Sequence, residues 1–139
     1  AAPAFSANLD SGDTTPTYSA ALTVNDTRTT GSVGWNLTIT STQFIVGAKT
    51  LATNASTVTA VTVACANGGI CITPTNSVTY PVSVPAGSTP PTAVKFRNGA
   101  NATGVGTFTV TPTVGVFVPQ NSFAGSYKST LTIAVVSGP

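Results

Sequence analysis

Apolar and polar residues alternate with a period of two along most of this chain. Tyr18, Ala20, Leu22 and Val24 share one face of Thr17–Asn25, and Trp35, Leu37 and Ile39 share one face of Trp35–Thr40. The same alternation aligns Val78, Tyr80, Val82 and Val84 within Ser77–Val84. It aligns Phe108, Val110, Val114, Val116 and Val118 within Gly106–Val118, and Tyr127, Leu131, Ile133 and Val135 within Gly125–Val136. Thr57–Cys65 and Ala93–Arg97 are further runs of similar character, and Ala4–Leu9 places Phe5, Ala7 and Leu9 on one side. Successive side chains of a strand point to opposite faces, so each run predicts a strand with one face on a core. No window carries a 3.6-residue apolar period long enough for a stable helix.

Between these runs lie segments of loop chemistry: Asp10–Pro16, Asp26–Gly34 and Pro85–Thr92, with Phe44–Ser56 irregular. Pro81 inside Ser77–Val84 predicts an edge strand, because proline has no N–H to give an inner ladder. Pro112 inside Gly106–Val118 predicts a bend where the strand changes sheets. About eight short strands with regular turns predict an all-β fold, an immunoglobulin-like antiparallel β-sandwich of about seven to nine strands. Residues 1–16 read as an N-terminal strand with a flexible linker, and 17–139 as the sandwich, with Trp35 in its core.

Composition sharpens this. Thr occurs 27 times and Val 17 times among 139 residues, both β-branched and suited to a pleated surface. Charged residues make up 6%, against about 25% in an ordinary soluble domain, so the polar surface comes from Thr. The basic residues Arg28, Lys49, Lys95, Arg97 and Lys128 are scattered. Only Lys95-Phe96-Arg97 resembles a nucleic-acid footprint, and strand alternation with Phe96 inward explains it better. No nucleic-acid partner is expected. With no His and no Glu, and with Asp10, Asp13 and Asp26 as the only acids, the chain lacks the convergent titratable groups that catalysis needs. The expectation is a non-enzyme with no cofactor and no metal; Asp10 and Asp13 read as turn formers rather than calcium ligands.

Cys65 and Cys71, separated by a stretch containing Gly68-Gly69, predict a disulfide. Closing so short a loop contributes about 2–2.5 kcal/mol in the chain-entropy model. Zinc would need four ligands that this chain does not offer. Asn25, Asn36, Asn54 and Asn101 head Asn-x-Ser/Thr triplets and are candidate N-glycosylation sites. The absence of Met agrees with removal of a leading segment by signal-peptide cleavage. Together with the disulfide it predicts a secreted protein, extracellular or at the cell surface. No apolar run is long enough to span a membrane as a helix, so no membrane insertion is expected.

Gly34-Trp35-Asn36-Leu37-Thr38-Ile39 and the stretch Gly125-Ser126-Tyr127-Lys128-Ser129-Thr130-Leu131-Thr132-Ile133 resemble the WxL-domain family of bacterial cell-surface proteins. Trp35 and Leu37 supply its first Trp-x-Leu. The second would fall at Ile133-Ala134-Val135, where Ile stands for Trp and Val for Leu. The resemblance implies a secreted, mostly β domain held non-covalently on the cell wall, with peptidoglycan as its ligand.

Two functions are therefore in view. One is a self-assembling subunit of a cell-surface filament, its partners copies of itself. In that reading the strand carrying Phe5, Ala7 and Leu9 completes a neighbour's sheet, and such head-to-tail exchange does not close. The other is a WxL-like module that binds cell-wall glycan. Such a site would want exposed aromatics, and Trp35, Tyr18, Tyr80 and Tyr127 all fall on inward faces.

Overall fold

The computed structural model describes residues 2–28, 33–66 and 71–138. Among them are eleven strands: β1 (Thr17–Ser19), β2 (Leu22–Asp26), β3 (Trp35–Thr42), β4 (Ile45–Val46), β5 (Lys49–Thr50), β6 (Ser56–Cys65), β7 (Val82–Ser83), β8 (Ala86–Gly87), β9 (Val94–Gly99), β10 (Gly106–Val116) and β11 (Leu131–Ser137). The chain is an all-β sandwich. In one sheet β1 and β2 lie in succession along β10, followed by β6 and then β7. In the other, β11 runs along one side of β3, while β9 and β8 share the opposite side. All pairings are antiparallel except the short β3–β8 contact, and β4 and β5 form a separate hairpin.

The count exceeds the expected seven to nine because three two-residue strands form where the sequence reads as irregular or loop: β4 and β5 within Phe44–Ser56, and β8 within Pro85–Thr92. One apolar run is also divided. Thr17–Asn25 becomes β1 and β2, which break at Ala20–Ala21, where the Ala20 N–H donates to the Pro112 carbonyl. The bend predicted at Pro112 does not occur. β10 stays in one sheet through Pro112, which faces Val61 of β6, and the missing N–H is matched by the interruption in the neighbouring strand. Pro81 acts as expected: only Val82–Ser83 pairs, and β7 is the outermost strand beside β6.

The core lies between the sheets. Trp35, Leu37 and Ile39 from β3 meet Phe96 from β9 and Phe108, Val110 and Val114 from β10. The Phe96 side chain reaches this core through a register shift between Leu37 and Thr38, which leaves Phe96 without a cross-strand partner. Trp35 is seated on two glycines. A Cβ on Gly99 would stand 2.7 Å from the ring, and one on Gly104 would stand 2.6 Å from its Nε1. The indole N–H donates to the Gly104 carbonyl at 3.0 Å. A second, smaller cluster at the opposite end joins Leu51, Ala55, Val116 and Val118.

One free sheet edge is closed by side chains rather than by a ladder. The Asn76 amide oxygen accepts the Asn98 N–H at 3.1 Å, and the Asn98 amide oxygen accepts the Ser77 N–H at 2.9 Å. These bonds, with the Ala100 N–H donating to Thr75, tie the segment around residue 76 to the outside of β9.

Candidate assembly surface

Ala4–Leu9 forms no strand, contrary to its alternating pattern. No backbone hydrogen bond joins residues 4–8 to another described residue. The stretch is held by side chains. Phe5 stacks on Tyr18, with ring centroids 5.6 Å apart, and meets Phe44 edge-on at 6.0 Å. Phe5 and Leu9 are half-buried against the second cluster, while Ala7 is exposed. They line a hollow of about 770 Å³ with Phe44, Leu51, Val118 and the loop around Phe123. Burial pushes the Tyr18 phenol above its ordinary value.

The linker assigned to residues 10–16 is shorter than expected. Thr14 and Val118 exchange both backbone hydrogen bonds, and the Val116 N–H donates to Pro16, so residues 14–16 extend the β1 ladder along β10. Asp13 adds an anchor, its carboxylate accepting the Gln120 N–H at 2.8 Å. That bond gives Asp13 a structural task across 107 positions of chain, which local turn chemistry did not suggest. Only residues up to about Gly12 hang from this anchor.

Two strand edges remain open on the same side of the sandwich. β1 and β2 pair only with β10, and β11 pairs only with β3 among the described residues. Between these edges runs a cleft of about 850 Å³, lined by Leu22 and Tyr18 on one side and Leu131 and Ile133 on the other. Ala2 and Pro3 reach its mouth, and Lys128 is the one charged side chain on its walls. Val135 is 57% exposed although its cross-strand partner Leu37 is fully buried. The strand β11, Leu-Thr-Ile-Ala-Val-Val-Ser, carries no charge and no proline. Natural edge strands are usually blunted by such residues, since an open ladder recruits further strands. The alternation at Leu131, Ile133 and Val135 was legible, but that their face borders an open cleft was not.

The remaining candidate residues are dispersed. Cys65 and Cys71 form a disulfide with Cα atoms 5.9 Å apart, at the end of β6; Gly68 and Gly69 lie outside the described residues. Trp35 and Leu37 are interior, at 2% and 0% exposure, so the Trp-x-Leu pair offers no surface to a ligand. Asn54 and Asn101 are exposed in turns. Asn25 is exposed on β2 with its amide oxygen accepting from the Thr107 hydroxyl, and Asn36 lies near the start of β3 with a buried amide oxygen that has no partner among the described residues. Lys95 is exposed and Phe96 buried, while Arg97 donates to the Pro74 carbonyl, so these three do not make a basic patch.

Asp26 and Arg28 form the one ion pair among the described residues. The guanidinium donates to both carboxylate oxygens at 2.8 Å and to the Gly34 carbonyl at 2.7 Å, clasping the start of β3 to the end of β2. The hydrogen bond from Arg28 holds the Asp26 carboxyl below the usual carboxylate range. The described residues hold no cluster of three or more His, Cys, Asp or Glu placed to hold a metal ion. No helix among them is long and apolar enough to cross a membrane. Compared with protein-family models, with curated proteins and with solved structures, the chain matches none of them.

Proposed function

We propose that this chain is a non-enzymatic extracellular structural protein, a subunit that assembles with copies of itself into a cell-surface filament by lending its N-terminal stretch to a neighbour. The observation that carries this reading is the state of residues 4–8. They alternate like a strand, yet pair with no strand among the described residues of their own molecule. In place, Phe5 and Leu9 are only half-buried and the backbone gains no ladder. In a neighbour's sheet the same residues would keep apolar contacts and add ladder bonds worth about 0.5–1.5 kcal/mol each. Disulfide chemistry favours an oxidising compartment, and a surface poor in charge suits subunits that meet face to face.

Negative-stain electron microscopy of the native protein beside a variant lacking residues 1–9 tests this. Filaments in the first and none in the second are expected. A native protein that stays monomeric at high concentration would overturn the reading. Retention of that monomer on purified cell walls at physiological salt would support the WxL-like wall module in its place.

A further inference from the structure

Resting on that reading, the geometry points to the acceptor: the cleft between the β1–β2 edge and β11 takes the Phe5–Leu9 stretch of a second copy as an added strand along β11. Three observations converge on it. The first is chemical match. The cleft walls and residues 2–9 are both apolar and nearly free of charge, with Lys128 the single exception. Phe5, Ala7 and Leu9 present one apolar face, and Leu131, Ile133 and Val135 present another at the same two-residue spacing. Strands added side by side align such faces on one side of the sheet.

The second is backbone supply and demand. Residues 4–8 offer donors and acceptors with no described partner, and the outer edge of β11 has no neighbouring strand among the described residues. Unpaired ladder groups on both sides are what strand addition requires.

The third is position. In its own molecule the Phe5–Leu9 stretch lines the separate hollow beside Phe44 and Val118, and of residues 2–9 only Ala2 and Pro3 line the cleft. Most of the cleft is therefore left to another copy. From the Asp13 anchor, nine extended residues reach about 30 Å, enough to leave one subunit and lie along the next. Since a subunit lends at one end and accepts at a different surface, the contact is heterologous and propagates.

Cross-linking between two full-length variants, each with one cysteine added beside the native Cys65–Cys71 disulfide, tests the acceptor. Ser6 and the residues Thr132, Ala134 and Val136 are exposed and point away from the apolar faces. One copy carries S6C; the other carries T132C, A134C or V136C in turn. Directly opposed strand residues bring Cβ atoms to about 4.5–5.5 Å, close enough for a disulfide after small adjustment. In a glutathione redox buffer, mixed dimers are expected with at least one of the three. They should be absent with a control cysteine at Thr62, exposed on β6. A second variant, V135K, replaces a side chain already 57% exposed. It should keep its thermal unfolding temperature and lose the cross-link. Filaments that form without any cross-link to β11, or with equal cross-linking to Thr62, would overturn this acceptor while leaving self-assembly standing. Absence of both filaments and cross-links would overturn the two together.

Discussion

Single residues decide how the core closes around Trp35. The indole fits because Gly99 and Gly104 have no Cβ, and it holds the 101–104 turn through its N–H bond to Gly104. Gly99→Ala is expected to cost about 1–3 kcal/mol, the range for overpacking a filled core. Gly104→Ala should cost more, because φ there is +70°, a region that L side chains rarely adopt. Trp35→Ala should cost about 3–5 kcal/mol. Urea unfolding of the three variants checks the order. If Gly104→Ala proved the mildest, the cradle would not be tight. Trp35 was readable as a core residue from its place in the alternation. The glycines that receive it were not, because they stand 64 and 69 positions away, at Gly99 and Gly104, and only folding sets them against the ring.

At the scale of elements, the alternation located faces better than strands. Val82 and Val84 turn inward as their spacing predicts, yet only Val82–Ser83 pairs, since Pro81 withholds a donor. Gly125–Thr130 reads as a continuation of β11, yet ladder pairing begins only at Leu131, and Lys128 bridges to Ile45 instead. The N-terminal stretch is the sharpest case: its pattern is that of a strand, yet it pairs with no described strand and lines a hollow. Alternation reports which side chains seek a core, whereas pairing needs a neighbour whose backbone is also free. One consequence is measurable at Tyr18. Phe5 stacks over it, and burial raises its phenol. Removing residues 2–9 is expected to bring the Tyr18 titration back toward the ordinary tyrosine value of about 10. Ultraviolet titration, with Tyr18→Phe as the subtraction control, reads this directly. An unchanged titration would mean that Phe5 does not cover the ring in solution.

For the whole molecule, acid stability should turn on one pair. The Asp26 carboxyl is held below its unfolded value by Arg28, so the folded state binds its proton less readily than the unfolded chain. The pair therefore contributes its full stability above about pH 4, the ordinary Asp range. That contribution is lost as pH falls from there through the lower folded value. Asp26→Asn should flatten the unfolding temperature across this acid window and leave a smaller pH dependence than the parent. A parent curve already flat below pH 4 would show that the clasp is open in solution.

The sequence by itself determined the all-β class, the inward faces of most strands, the core position of Trp35, Leu37 and Ile39, and the Cys65–Cys71 disulfide. These follow from side-chain periodicity and from short spacing along the chain, both of which are local. Tertiary structure decided what local pattern cannot encode. It set the strand order, the unbroken course of β10 through Pro112, the anchoring of Asp13 at Gln120, and the two uncovered edges beside the cleft. Whether an alternating stretch becomes a strand depends on which backbone groups remain unclaimed once every other strand has paired, and that is a property of the whole sheet.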